Sequence, residues 1–327
     1  MKIALITPAV PGSLNGNRNT ALRWARLLRE RGHRVAVSTQ WDGSAADLML
    51  ALHARRSYAS IRTFNERNPG RPLIVALTGT DLYRDIRYDP NAKDSLLRAT
   101  RLIVLQEQGP LELAPELREK VDIVYQSARA ITRPPALQSV FEFSVLAHLR
   151  DEKDPFRAAL ALQFLPGHSR IQVRHYGKAL VPELAQTAQQ LMRQLPRYRW
   201  FGERPHRLVA RRLARSRALV ISSLMEGGAN AASEAIVQGV PCLASDVAGN
   251  IGMFGADYAG YYPVGDERAL AALMLRLELD PTYCARLTRQ VVARQSLLTR
   301  ENEQLSLLRS IEQALRGRSR EQATTTK

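Results

Sequence analysis

Short, mainly apolar runs alternate with segments of helical periodicity along almost the whole chain. Examples are the runs at 2–7, 34–38 and 73–77, which are separated by segments whose apolar residues recur three or four positions apart. That recurrence is typical of a helix with one buried face, whereas short apolar runs are typical of strands buried on both faces. Strands that alternate with helices form parallel sheets covered by helices. The sequence therefore predicts an α/β fold.

The alternation is interrupted at Thr132-Arg133-Pro134-Pro135 and then starts again. Adjacent prolines are typical of loops and linkers. Since 327 residues are about twice the length of a typical domain, we expect two doubly wound, Rossmann-like domains. The predicted N-terminal domain covers residues 1–134 and the predicted C-terminal domain covers 135–310. The polar end, 318–327, is expected to be frayed.

Arginine dominates the charge of the chain. Lysine and arginine number 47 against 31 acidic residues, a net charge of +16, and only six of the 47 are lysine. Such a surplus favours anionic partners, either nucleic acid, an acidic membrane surface or phosphorylated small molecules. The arginines are scattered, and no helix-turn-helix, zinc-finger or RNA-binding motif accompanies them. Nucleic acid is therefore not expected to be the main partner.

Cysteine content and hydropathy indicate the class of protein. Two cysteines, Cys242 and Cys284, exclude a disulfide scaffold and a cysteine-rich zinc site. No apolar run reaches the ~18 residues of a membrane helix, so stable membrane insertion is not expected. We therefore expect a cytoplasmic protein. The sequence leaves its oligomeric state open.

The most informative motif is the stretch from Ser222 to Ala235, where a strand is expected to lead into a helix. Glu226 precedes the helix and Glu234 lies about two turns inside it. The residues between the strand and the helix are small: Gly227, Gly228, Ala229 and Asn230. Small residues leave helix-start N–H groups accessible to an anion, and carboxylates accept hydrogen bonds from sugar and ribose hydroxyls. The alternative is an ordinary capped helix with an exposed glutamate.

Basic residues follow other strands of the predicted C-terminal domain. Arg150 and Lys153 come after its first strand, and a planar guanidinium and a point charge both suit a diphosphate. His175 and Lys178 end the next strand, where Lys178 would reach a phosphate. A solvated loop and a plain turn are the alternatives. A glycine-rich loop is predicted over 249–255, bordering the same site.

Two loops of the predicted N-terminal domain suit a small anion. The first, 11–20, contains Gly16, Asn17 and Arg18 ahead of a helix capped by Asn19 or Thr20, and it lacks the Lys-Ser/Thr ending of a P-loop. The second follows an apolar strand and consists of Thr78, Gly79, Thr80 and Asp81. Asp81 is expected to act as a base or an orienting group. Ordinary turns without a ligand are the alternative for both loops. No residues in the sequence have the spacing of metal ligands.

Together, the Glu226-x7-Glu234 element, the Arg150 and Lys153 pair and the glycine-rich first loop resemble the retaining, E-x7-E family of GT-B glycosyltransferases. The resemblance covers nearly the whole chain and implies two Rossmann-like domains facing a cleft, with the last helix packing back on the N-terminal domain. It implies that Glu234 holds the ribose hydroxyls of a UDP-sugar and that Glu226 reaches its sugar hydroxyls. Arg150, Lys153 and the amides of 227–230 would stabilise the diphosphate leaving group, so that no metal and no cofactor is needed. His148-Leu149 stands where the family usually has glycine before the arginine.

Within that family the chain is similar to a small subgroup that includes the selenosugar synthases of selenoneine biosynthesis. The similarity lies in the loops 16–18, 78–83, 149–155, 226–230 and 249–252. It implies transfer of the sugar of a UDP-sugar, expected to be UDP-N-acetylglucosamine, to the selenium of selenophosphate. The loops around 16–18 and 78–80 would bind this acceptor, and Asp81 or His175 would help the loss of the phosphoryl group. The alternatives are a GT-B transferase with a hydroxyl acceptor, a UDP-sugar epimerase and a basic nucleic-acid-binding protein.

Overall fold

The structure is a computed structural model that describes residues 1–13, 16–132, 134–135 and 139–325, with side chains as far as residue 316. It divides into two compact units. Residues 1–126 and 300–327 form unit 1, and residues 127–299 form unit 2. The predicted division after residue 134 therefore lies inside unit 2. Residue 133 of the predicted linker lies outside the described residues.

Unit 1 is built on a parallel six-stranded sheet. Its strands are β1 (Lys2–Ile6), β2 (Arg34–Ser38), β3 (Leu48–Leu52), β4 (Leu73–Ala76), β5 (Arg101–Val104) and β6 (Val121–Ile123). They lie in the order β2-β1-β3-β4-β5-β6. Every residue of β3 and β4 is buried, as expected for central strands covered on both faces.

Helices cover both faces of this sheet. They are α1 (Gly16–Arg29), α2 (Tyr58–Arg67), α3 (Ile86–Tyr88), α4 (Pro90–Arg98) and α5 (Pro115–Arg118). Successive side chains of a strand point to opposite faces. Accordingly, Ile3 of β1 packs in one apolar cluster with Trp24 of α1, whereas Ala4 packs in another with Phe64 of α2. The two clusters form the core of unit 1.

Unit 2 repeats this plan with a second parallel six-stranded sheet. Its strands are β7 (Phe141–Leu146), β8 (Ile171–Tyr176), β9 (Tyr198–Trp200), β10 (Ala218–Ile221), β11 (Cys242–Ser245) and β12 (Tyr261–Tyr262), in the order β12-β11-β10-β7-β8-β9. The helices are α6 (Arg157–Ala161), α7 (Pro182–Gln194), α8 (His206–Arg215), α9 (Asn230–Gln238), α10 (Ala248–Phe254), α11 (Glu267–Leu279) and α12 (Pro281–Val292). The α/β prediction of two doubly wound, Rossmann-like domains is therefore confirmed.

The last helix, α13 (Arg300–Thr325), belongs to unit 1. Its buried Glu303 accepts hydrogen bonds from Trp24 Nε1 at 2.8 Å and from Arg23 Nε at 2.9 Å, both on α1. A buried carboxylate that lost these donors would be strongly destabilising, so the contact fixes α13 on α1. The helix takes in residues 318–325 of the segment predicted to be frayed. Residues 326–327 lie outside the described residues.

Local details differ from the sequence predictions at two places. Helix α1 begins at Gly16 rather than after a cap at Asn19 or Thr20. The Thr20 hydroxyl donates instead to the carbonyl of Gly16 at 2.9 Å, the bond that threonine makes one turn back inside a helix. The segment predicted as a glycine-rich loop, 249–255, lies largely in helix α10. In the part of the chain that is described, no helix is both long and apolar enough to span a bilayer.

Candidate functional site

The predicted donor residues of unit 2 gather at the carboxyl edge of its sheet. Arg150 and Lys153 follow β7, Glu226 follows the neighbouring β10, and Asn250 follows β11, the next strand along. Because all these strands are parallel, the loops after them lie at one edge, the usual place for ligands in α/β folds. The structure therefore brings together the residues from three separate motifs.

Glu226 is held by two donors. The buried carboxylate accepts a hydrogen bond from Ser223 Oγ at 2.6 Å and forms an ion pair with Lys153 Nζ. The loops are also joined through their backbones, since Leu224 N donates to the carbonyl of Glu152 at 2.9 Å. Ser222 Oγ donates to the Asp154 carbonyl at 2.8 Å. The two predicted motifs after β7 and β10 thus form a single hydrogen-bonded unit.

Helix α10 supports Glu226 from behind. A Cβ placed on Gly249 would lie 1.7 Å from the carbonyl oxygen of Glu226, so glycine is required at this contact. The neighbouring Asn250 donates through Nδ2 to the Ser245 carbonyl at 2.8 Å, and Ser245 Oγ donates to the Ser223 carbonyl at 2.6 Å. The segment 249–252 therefore positions the loop of Glu226 through close backbone packing.

Arg150 differs from Lys153 in its hydrogen bonding. Its Nε is buried and has no hydrogen-bond partner among the described residues. A buried donor without a partner is costly, and a bound anion would satisfy it. The positive charge of Lys153 is already offset by Glu226. Arg150 is therefore the cation of this edge best placed to meet a new negative charge.

The start of helix α9 has the form expected of an anion site. The helix begins at Asn230, and its N-cap residue Ala229 makes no side-chain capping bond. Gly227 is buried, whereas Gly228 is half-buried. The first-turn N–H groups of a helix have no intrahelical partners, and the helix dipole favours negative charge there. The small residues 227–230 therefore leave these groups open to an oxyanion.

Glu234 has a partner that the sequence analysis missed. Its Oε1 accepts a hydrogen bond from His206 Nε2 at 2.8 Å, and the carboxylate raises the pKa of His206 above its ordinary value. His206 is the first residue of α8, and nothing in its local sequence distinguishes it. The contact joins residues far apart in the chain, so only the fold reveals it.

The surroundings of His175 do not fit its predicted role in binding the UDP-sugar donor. The ring is fully buried between Tyr198, whose hydroxyl lies 3.1 Å from Nδ1, and the carbonyl of Ala147, 2.9 Å from Nε2. Burial lowers its pKa to about 4, so the ring is neutral and occupied at both nitrogens. It supports the backbone after β7. Lys178 is exposed, and its backbone N–H donates to His148 Nδ1 at 3.0 Å.

Asp81 in unit 1 organises the loop after β4. The carboxylate is fully buried; Oδ1 accepts from the backbone N–H groups of Thr78 and Gly79, both at 2.9 Å. Its Oδ2 accepts from the N–H of Ala54 at 3.0 Å, which links the loops after β3 and β4. These contacts are those of a group that orients the loop after β4.

His53 is a further residue that the sequence analysis missed. It follows β3 directly, is 2% exposed and contacts Thr80 Oγ1 through Nε2 at 3.2 Å. Asp85 Oδ2 lies 3.9 Å from the same nitrogen and 2.7 Å from Arg55 Nε. A histidine directly after an apolar strand, before Ala54-Arg55-Arg56, is a signal that could have been noticed.

The other predicted acceptor residues open helix α1. Gly16, Asn17 and Arg18 form its first turn, while residues 14 and 15 of the same loop lie outside the described residues. This turn follows β1, and Thr80 follows β4; both strands neighbour β3. The predicted acceptor residues and His53 therefore share one edge of the sheet of unit 1.

Among the side chains that the structure describes, no group of three or more histidine, cysteine, aspartate or glutamate residues is placed to hold a metal ion. Arg150, Lys153 and the start of α9 supply positive groups at the edge of unit 2, and the exposed Lys178 follows the neighbouring strand β8. These are the groups available to an anionic ligand.

Comparison with known proteins identifies the domain type. Residues 138–294 match the family model of glycosyl transferases group 1. No curated protein sequence matches the chain significantly. Residues 138–294, which lie within unit 2, therefore carry a glycosyl transferases group 1 domain.

Solved structures show the fold of the whole chain. Anabaena HepE in complex with UDP and glucose is 15% identical, with a TM-score of 0.74, over 95% of this chain and 99% of that one. Sucrose-phosphate synthase from Thermosynechococcus elongatus is 15% identical, with a TM-score of 0.77, over 96% and 99%. The lipopolysaccharide outer core galactosyltransferase WaaB, in its apo form, is 13% identical, with a TM-score of 0.67, over 95% and 99%. The predicted GT-B architecture of two Rossmann-like domains is thereby confirmed.

Proposed function

Since residues 138–294 form a glycosyltransferase domain, we propose that the chain is a selenosugar synthase. It transfers the sugar of a UDP-sugar, with UDP-N-acetylglucosamine as the expected donor, to the selenium of selenophosphate. The products are UDP and a sugar with a carbon–selenium bond. Two lines support the proposal: the geometry of the donor edge and the resemblance of the loops 78–83 and 226–230 to selenosugar synthases.

The main support for a UDP-sugar as the donor substrate is the buried Nε of Arg150, which lacks a hydrogen-bond partner among the described residues. A diphosphate at this edge would satisfy Arg150 and would also meet Lys153 and the uncapped start of α9. Positive groups fixed where negative charge develops are the largest single contribution in many enzymes. They would stabilise UDP as it leaves, and the proposal needs no metal or cofactor. The structure of HepE with UDP and glucose supports a nucleotide-sugar donor.

The two glutamates would hold the neutral parts of the donor. Glu234 would accept hydrogen bonds from the ribose hydroxyls, and Glu226 from hydroxyls of the sugar. The Lys153 and Ser223 contacts fix the Glu226 carboxylate before the donor arrives. A fixed carboxylate loses little conformational freedom on binding, so the donor is oriented at low entropic cost.

Transfer to selenophosphate takes two steps. A lone pair on the anionic selenium of selenophosphate attacks C1 of the sugar, the bond from C1 to the UDP oxygen breaks, and UDP leaves with that electron pair. Water then attacks phosphorus and the phosphorus–selenium bond breaks. Selenium keeps that electron pair and takes up one proton from the water, so that hydrogen phosphate and the selenol of the sugar are released. Selenium is already anionic, so the first step requires no strong general base. Asp81, whose oxygens are occupied, is therefore not needed as one.

The test is UDP release from UDP-N-acetylglucosamine with and without fresh selenophosphate, with mass spectrometry of the products. The proposal expects selenophosphate-dependent release and a selenium-bearing sugar. Arg193→Ala, an exposed position on α7, is a matched control for Arg150→Ala because it removes the same charge. UDP release that requires a hydroxyl acceptor and yields no selenium product would contradict the proposal. That result would establish a conventional UDP-sugar glycosyltransferase, for which the same donor edge is equally suited.

A further inference from the structure

His53 has an unusual backbone conformation. Its φ is +72°, and among the described residues the only other non-glycine residue with positive φ is Asp154. This region is unfavourable for residues with a Cβ, and it persists where the surroundings fix it, often at functional sites. Here His53 N donates to the Ala76 carbonyl at 2.8 Å, and the next N–H, of Ala54, donates to Asp81. The fold therefore holds a buried histidine in a conformation that suits glycine or asparagine better.

The hydrogen bonds of the ring assign its tautomer. The backbone N–H of Arg56 donates to Nδ1 at 3.3 Å, so Nδ1 acts as an acceptor and carries no proton. In the neutral ring the proton then lies on Nε2, which faces Thr80 Oγ1 at 3.2 Å. Nε2 therefore donates to the Thr80 oxygen.

The imidazole ring of His53 stays neutral although charged groups surround it. Asp81 Oδ2 lies 3.9 Å from Nδ1, and Asp85 Oδ2 lies 3.9 Å from Nε2. Asp85 is in turn paired with Arg55 at 2.7 Å and with Arg84 at 3.4 Å. Burial outweighs the two carboxylates and lowers the pKa of His53. The neutral tautomer is thus the form present near neutral pH.

The hydrogen bond from His53 fixes the orientation of the Thr80 hydroxyl. Its oxygen accepts from His53, so its own proton must point to another group, and no acceptor for it is found among the described residues. Thr80 is half-buried at the carboxyl edge of the sheet, where ligands reach it. A hydroxyl that is fixed as a donor suits an oxyanion. It does not suit a neutral hydroxyl nucleophile, whose proton has to be accepted.

We infer that His53 is a positioning residue that fixes Thr80 as a hydrogen-bond donor to a phosphate-type oxyanion of the acceptor. The inference deepens the proposed function, on which it rests, because it assigns the acceptor class from contacts in unit 1 alone. Thr80 touches the acceptor. His53 acts through Thr80 and does not touch the acceptor itself.

The test compares His53→Gly, Thr80→Val and the double variant in the full-length protein. Glycine tolerates the positive φ, so His53→Gly removes the donor without adding backbone strain. We expect the KM for selenophosphate to rise about 10- to 100-fold, as for loss of one hydrogen bond to a charged group, while the KM for UDP-N-acetylglucosamine is unchanged. Thr80→Val should have the same effect, and the double variant should be no worse than Thr80→Val alone. Added imidazole should partly restore His53→Gly.

Controls separate positioning from folding and from the proposed function. His168→Gly, at an exposed loop position of unit 2, should leave every constant unchanged. Inorganic phosphate, titrated without any sugar donor, should bind the wild type and bind His53→Gly about 10-fold or more weakly. That result supports the inference even if selenophosphate proves not to be the acceptor. Additive losses in the double variant would overturn the inference. So would a His53→Gly variant with an unchanged affinity for phosphate and an unchanged KM for selenophosphate.

Discussion

Replacing Gly249 with alanine is the most direct test of how the donor edge is built. The new Cβ would lie 1.7 Å from the carbonyl oxygen of Glu226 and 2.7 Å from its Cβ. Non-bonded carbon and oxygen atoms stay at least about 3.3 Å apart. Either α10 or the loop of Glu226 must therefore move by roughly 1.5 Å to relieve the contact. No flexible side chain can absorb the shift, because the nearest atoms belong to the backbone and Cβ of Glu226.

Two opposing effects set the expected stability of Gly249→Ala. Alanine favours the helix by about 1 kcal/mol relative to glycine. Overpacking of a tight contact costs about 1–3 kcal/mol. With backbone on both sides of the contact the upper part of that range applies, so we expect a net loss of about 1–2 kcal/mol in the free energy of unfolding. Chemical denaturation followed by circular dichroism measures this loss.

The effect on activity should be larger. A misplacement of about 1 Å in a catalytic constellation costs roughly 100-fold in rate. We therefore expect UDP release by Gly249→Ala to fall at least ~100-fold while most of the protein remains folded. The matched control is Gly167→Ala, where a Cβ would meet no atom within 4 Å and no unusual φ is required. Wild-type turnover and stability in Gly249→Ala would show that the loop of Glu226 does not depend on its close contact with α10.

Further predictions concern the charged and titrating groups. Arg150→Ala should lower turnover by ~100-fold or more, as for the loss of a donor to a developing anion, and an effect no larger than that of Arg193→Ala would contradict the assignment. The imidazole of His206 should titrate above 6.5 by NMR, and Glu234→Gln should return it to its ordinary pKa. For His175 the folded-state pKa, about 4, lies below the unfolded value of 6.5, so its neutral ring stabilises the fold fully above pH 6.5. That contribution is lost as the pH falls, and the stability difference between wild type and His175→Gln should shrink by up to about 3 kcal/mol between pH 7 and pH 4. A difference that stays constant with pH would exclude this account of His175.

The fold could be predicted from the sequence because the alternation of apolar runs and helical segments is local and is repeated along the chain. Strand β2 coincides with the predicted run 34–38, and strand β4 lies within the predicted run 73–77. Strand β12 was missed, since two residues, Tyr261 and Tyr262, carry no periodicity. The predicted division at Pro134 followed the prolines, whereas the contacts that define the units divide the chain between Gln126 and Ser127. Proline content reports local backbone preference and contains no information on long-range packing.

The candidate site was predictable only where its residues belong to one motif. Glu226 and the helix start after it could be placed because strand, turn and helix are consecutive. The contacts of His53 with Thr80 and of His206 with Glu234 could not be predicted, because only the fold brings these residues together. His175 was predicted to bind the UDP-sugar donor because it lies at the end of a strand. Its burial depends on Tyr198, a residue of the next strand, and a local pattern does not contain that information.

The decisive test of the proposed function is UDP release by the purified protein from UDP-N-acetylglucosamine, with fresh selenophosphate added or withheld and with mass spectrometry of the products. We expect UDP release to depend on selenophosphate and the product to be a sugar with the isotope pattern of selenium. UDP release at the same rate in both reactions, with no selenium in any sugar product, would contradict the proposed function.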